Sequence, residues 1–143
     1  MFVFNEGTMD VPHGWRDQTI NVVSSSGPLE PGLTLSITRD DIPWGMAFNE
    51  YVEDQLNQVS DALTDFKLLA RKPVTIARAA AFEVEITWMS KQGPMHQIIT
   101  TVQLPEGRAM VVTGSMPGMM TPGQANEVRR IVSTLNLQQP KRS

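Results

Sequence analysis

The chain has 143 residues, with 12 basic and 15 acidic side chains, a net charge of −3 and no cysteine. That length suits one domain with a real core, and the lack of thiols excludes disulfides, zinc–thiolate sites, iron–sulfur clusters and cysteine nucleophiles. With a pI near 5.3 and no basic stripe, nothing supplies the phosphate neutralisation that nucleic-acid binding requires.

In chain order, Phe2–Val11 alternates around Asn5-Glu6-Gly7 and reads as a short hairpin. This start has neither the basic region nor the long apolar run of a signal peptide. The longest apolar runs elsewhere fall far short of the roughly 20 residues of a membrane-spanning helix. The expectation is a cytoplasmic protein, a single domain over 1–137 and a polar tail over 138–143. Pro12-His13-Gly14-Trp15 reads as a turn with an aromatic anchor. Thr19–Ser24 alternates with Ile20 and Val22 on one side, and Ser24–Pro28 is a loop. Leu33–Arg39 alternates with Leu33, Leu35 and Ile37 on one face and Thr34, Ser36 and Thr38 on the other.

The period then changes. Phe48, Tyr51, Val52, Leu56, Val59, Leu63 and Phe66 recur at steps of three and four, which predicts a helix over about Ala47–Phe66. Pro73 breaks the segment that follows. Ala80–Trp88 and Met95–Leu104 read as strands joined by a Gln92-Gly93-Pro94 turn, and Arg108–Met116 as a third, entered through Pro105-Glu106-Gly107. Thr121-Pro122-Gly123-Gln124 has the pattern of a capping box with proline at the first helical position. Ala125, Val128, Ile131, Val132 and Leu135 give the second helix its apolar stripe. The fold class is α+β, a curved antiparallel sheet with flanking helices.

No catalytic pattern emerges. His13 and His96 stand apart from other metal-type ligands, and Ser115 sits one place early for a nucleophile elbow. Adjacent Asp40 and Asp41 on a strand end point opposite ways, and Glu83 and Glu85 read as solvent-facing. The expectation is a protein that is not an enzyme and needs no cofactor or metal. What rises above background is apolar surface. Ile98 and Ile99 are neighbours, as are Val111 and Val112, so two strands are apolar on parts of both faces. Met116, Met119 and Met120 cluster in a Pro/Gly loop, and thioethers suit a surface that adapts to apolar partners.

The segment Val11-Pro12-His13-Gly14-Trp15-Arg16-Asp17-Gln18-Thr19-Ile20-Asn21-Val22 resembles the opening of the DcrB-like domains of bacteria. Leu35-Ser36-Ile37-Thr38-Arg39-Asp40 is similar to their second signature, Phe48-x-x-Tyr51-Val52-x-x-Gln55-Leu56 to their long helix, and Ala79–Trp88 to the next hairpin. The resemblance runs from about Val11 to Leu135. It implies a Mog1/PsbP-like α/β/α sandwich. Leaderless members resemble the Eag chaperones of the type VI secretion system, homodimers that shield the N-terminal transmembrane helices of effectors in a hydrophobic groove and aid loading onto the secretion spike. The methionine cluster at 116–120 departs from the family pattern. On this reading the groove walls are Ile20 and Val22, from the match, and Leu33, Leu35, Ile37 and Ile98, from alternation, with Val59 and Leu63 as a rim. The alternatives are a carrier of a small apolar ligand and a Mog1-type adaptor binding a folded protein.

Overall fold

The computed structural model describes residues 2–4, 7–9, 20–24 and 32–137. The Pro12–Trp15 turn, residues 25–28 of the predicted loop and the tail at 138–143 lie outside them. Strands β1 (Phe2–Phe4) and β2 (Gly7–Met9) pair antiparallel as the predicted hairpin. The main sheet has six strands: β3 (Asn21–Ser24), β4 (Thr34–Asp41), β5 (Lys67–Ile76), β6 (Ala79–Ser90), β7 (Gly93–Leu104) and β8 (Arg108–Pro117). Their spatial order is β3-β4-β8-β7-β6-β5, with every pair antiparallel. Helix α1 (Phe48–Ala62) follows β4, and α2 (Pro122–Ser133) closes the chain.

Two sequence expectations need correction. Strand β5 occupies the segment that Pro73 was expected to break. Leu68, Leu69, Arg71 and Lys72 show no alternation, because β5 is an edge strand and nearly every residue in it is exposed. Proline is tolerated at an edge, where its missing N–H costs no ladder bond. Helix α1 also stops four residues early. The Leu63 N–H bonds back to the Val59 carbonyl, and Asp65 turns the chain through a positive φ of 54° into β5.

The strand register sorts side chains by face. Leu35 and Ile37 of β4, Val112 of β8, Ile98 and Val102 of β7 and Ala81 of β6 share one face, packed with Ala125, Val128 and Val132 of α2. The capping box fixes where α2 begins. The Gln124 N–H donates to Thr121 Oγ1 at 3.1 Å, and the Thr121 N–H donates to Gln124 Oε1 at 2.9 Å. Contact is closest at Gly114 of β8, where an added Cβ would stand 2.6 Å from one Val128 methyl and 2.9 Å from the other. On the opposite face α1 buries Tyr51 and Val52 against Ala109 and Phe82. Two helix layers on one antiparallel sheet give the α/β/α sandwich.

Between β5 and β6, Ala77 and Arg78 form a two-residue turn, both with positive φ (51° and 66°), the signature of a type I′ hairpin built without glycine or asparagine.

Gly114→Ala should cost about 1–3 kcal/mol, since stiff valine methyls cannot swing aside. Gly123→Ala, with only Thr121 Oγ1 at 3.8 Å, should be neutral or stabilising by up to about 1 kcal/mol. Urea unfolding of both variants checks the contrast.

Candidate functional site

Helix α1 leans toward one side of its face. Phe48 packs on Phe82 of β6 with ring centroids 5.9 Å apart, Glu53 pairs with Arg71 of β5, and beyond the helix the Thr64 carbonyl accepts the Met89 N–H of β6 at 2.8 Å. The Tyr51 hydroxyl reaches across at one end to donate to Asp40 of β4 at 2.8 Å. Burial, this hydrogen bond and the neighbouring negative charges all push the Tyr51 phenol well above its ordinary range, so it stays a donor.

The rest of that face is a strip with no second helix over it among the described residues. Its floor is the cross-strand pairs Thr34–Ser115, Ser36–Thr113 and Thr38–Val111, with Gln97 and Ile99 of β7 alongside, all half-buried. A hydrogen-bonded ladder crosses one end. Trp88 Nε1 donates to Gln97 Oε1 at 2.9 Å, and Gln97 Nε2 donates to Ser115 Oγ at 3.0 Å. Its far margin is edge strand β3, where Val22 pairs with Ser36 and is 63% exposed. Ile20 lies just before the strand, in phase with Val22, and is 62% exposed. Val59 and Leu63, half-buried, continue the α1 stripe begun by Val52. From β3 to β7 there are three inter-strand gaps, roughly 14 Å in all, and one α-helix with side chains is about 10–12 Å across.

The predicted wall residues therefore divide by face. Ile20 and Val22 stand exposed on the side of the sheet that carries α1, and Val59 and Leu63 lie on the apolar stripe of α1. Leu33, Leu35, Ile37 and Ile98 lie on the other face: Leu33 and Ile98 are buried in the α2 core, and Leu35 and Ile37 pack against it. Alternation located an apolar face correctly there, but α2 covers it. The hydroxyl-rich floor was visible in the sequence as the polar partner face of the β4 alternation, Thr34, Ser36 and Thr38.

Glu83 and Glu85 are not solvent-facing as expected. They stand two residues apart on β6 beneath α2, and Glu83 is buried. Arg129 Nε donates to Glu83 Oε2 at 3.1 Å and its Nη2 to Glu85 Oε1 at 2.8 Å, while Lys72 Nζ lies 3.7 Å from Glu83. His96 Nε2 is 2.8 Å from Glu85 Oε2, and His96 Nδ1 accepts the Met120 N–H at 2.9 Å. Burial alone would raise the Glu85 carboxyl, but hydrogen bonds from His96 and Arg129, with the Arg129 charge, outweigh it and hold Glu85 below its ordinary value. The network ties α2 to the sheet. Ser115 and His96 point to opposite faces, so they form no nucleophile–base pair. Among the described residues no group of three or more His, Asp or Glu could hold a metal ion, and no helix is long and apolar enough to cross a membrane.

Comparison with known proteins places these features in context. The DcrB family model matches residues 6–134. Effector EagT6 of Pseudomonas aeruginosa strain PAO1 is 30% identical over 90 residues, a match spanning 62% of this chain and 62% of that relative. Among solved structures, the Pseudomonas aeruginosa protein of unknown function PA94 superposes with a TM-score of 0.79 at 22% identity, over 98% of this chain and 96% of that one. Cyanobacterial PsbP (CyanoP) of Synechocystis sp. PCC 6803 gives 0.50 at 12% identity, over 87% and 79%. LpqN of Mycobacterium tuberculosis, involved in cell envelope biogenesis, gives 0.52 at 10% identity, over 86% and 85%. The likeness to PsbP and LpqN identifies the fold as Mog1/PsbP-like.

The lowered Glu85 carboxyl makes a signed prediction. Its contribution to stability is fully present above its ordinary value of 4.5 and is lost as pH falls through the lower folded-state value. Glu85→Gln should lower stability at pH 7 by about 1–3 kcal/mol and flatten the acid limb of a Tm-against-pH curve. A variant curve parallel to that of the unmodified protein down to the acid limit would contradict the assignment.

Proposed function

The chain belongs to the DcrB family, and from that premise we propose that it is a cytoplasmic chaperone of a type VI secretion effector. It holds the effector's N-terminal transmembrane helices on the strip between β3 and α1, keeps them soluble and aids loading onto the secretion spike. The carrying observation is that Ile20 and Val22 are exposed at the edge of the sheet face that α1 only partly covers. The similarity to EagT6 supports the class of partner.

A membrane-spanning helix in water exposes an apolar surface that aggregates. A host must bury that surface at about 25 cal/mol per Å² and offset the ordering costs of association. In this reading Ile20, Val22, Val59 and Leu63 meet the apolar side of the guest. Thr34, Ser36, Thr113 and Ser115 face its small and polar positions. Leu33, Leu35, Ile37 and Ile98 back the floor from the other face and set its curvature through the α2 core.

The floor from Thr34 to Thr38 is four residue steps, about 13 Å. A spanning helix of 20 residues is about 30 Å long. One protomer thus covers less than half of a guest helix, and the proposed homodimer supplies a second strip.

Ile20→Asp with Val22→Asp tests the site. Both positions are exposed, so the host should keep its melting temperature within a few degrees. Each charge would sit unpaired against an apolar guest at a cost of several kcal/mol, so copurification with the effector should fall by about a hundredfold or more. A folded double variant that still holds its effector removes these residues from the site. Light scattering tests the homodimer separately: a mass near 15.9 kDa at micromolar concentration would contradict it.

A further inference from the structure

His96 occupies an unusual position for a titratable group. It is 2% exposed, and both ring nitrogens are engaged. The Met120 backbone N–H can only donate, so Nδ1 must accept and cannot carry a proton. The remaining ring proton is then on Nε2, donated to Glu85. The ring shown is neutral, in a single tautomer.

Met120 lies in the segment between β8 and α2. It is 7% exposed, packed into the α2 core, and its neighbour Met119 is 61% exposed. The next residue, Thr121, is the helix cap. The charged groups around the ring are Glu85 and, one step further, Glu83 on β6, Lys72 on β5 and Arg129 on α2.

We propose that His96 is a proton-sensitive latch on the methionine loop. Adding a proton at Nδ1 sets two N–H donors against each other across a 2.9 Å gap, and the Met120 bond is lost. The imidazolium keeps its place against Glu85, so the loop moves and the ring stays. Release frees the Met120 side chain from the core beside Met119 and uncovers a flexible thioether surface next to the start of α2. The cap at Thr121 and the α2 core limit the opening to the loop. This inference does not depend on the strip or on any partner.

The test uses the intact, 15N-labelled chain from pH 7.5 to pH 5. Imidazole nitrogen shifts report the protonation of His96, and amide exchange, corrected for its intrinsic pH dependence, reports the Met120 N–H. The expected result is an Nε2–H tautomer at pH 7.5. As the ring titrates, Met120 exchange should rise at least tenfold while Val102 in the same strand stays protected. Glu85→Gln, which keeps an acceptor but removes the charge, should leave the two transitions coincident wherever the ring titrates. A ring doubly protonated at pH 7.5, a ring that never titrates in this range, or a Met120 amide that stays protected while the ring titrates would each overturn the latch.

Discussion

Two carboxylates stand two residues apart on β6 beneath a helix, and that side of the sheet closes only if they are neutralised. Arg129 does so with two hydrogen bonds, one to each glutamate. Removing one partner of such a cluster leaves an uncompensated charge in a place with little water, which is far more costly than never having had the pair. The position of Arg129 therefore sets where α2 lies across β6 and β7. The same docking brings Val128 onto Gly114, one strand further on, where only a missing side chain allows the approach. Helix, sheet and methionine loop are positioned from this one cluster, because His96 shares Glu85 with Arg129.

The asymmetry between the two faces of the sheet follows. One face of the sheet is sealed from β4 to β6 by α2 and its core. The other is covered by α1 mainly over β5 and β6, and the strip over β4, β8 and part of β7 is left without a helix among the described residues. Its residues match that position. Serines and threonines tolerate both water and a packed partner, whereas a row of leucines on an uncovered face would be an aggregation hazard. Val111 and Ile99 are the apolar members of the strip, and Ile20 and Val22 are exposed at its β3 margin.

Much of the fold was legible. The alternation at Leu33–Arg39, the turn at Gly93, the change of period at Phe48 and the Thr121–Gln124 box each reflect local physics that tertiary packing did not override. Strand β5 was not legible, because an edge strand exposed on both faces has no reason to alternate, and Pro73 argued against it. The site was half legible. Periodicity shows that Leu35 and Ile98 are apolar and share a spacing, but not which face a later helix will cover. The roles of Glu83 and Glu85 depend on Arg129, more than 40 residues away, and no local pattern announces that pairing. The resemblance to DcrB-like domains pointed to Ile20 and Val22, which are exposed on and beside edge strand β3, as is Val23 on its other face.

The hairpin joining β5 to β6 carries a different consequence. Ala77 and Arg78 hold left-handed backbone conformations, each unfavourable by about 1–2 kcal/mol for a residue with a Cβ. The turn lies at the end of the sheet where β5 meets Phe82 and Ala81, on the far side of the molecule from β3. It is thus a reserve of stability that the chain does not use. Glycine in place of exposed Arg78 would relieve part of the strain and leave Ala77, which packs on the α2 core, and the β3 margin unchanged. An engineer who needs a sturdier scaffold, for instance to tolerate drastic substitutions along β3, would begin there.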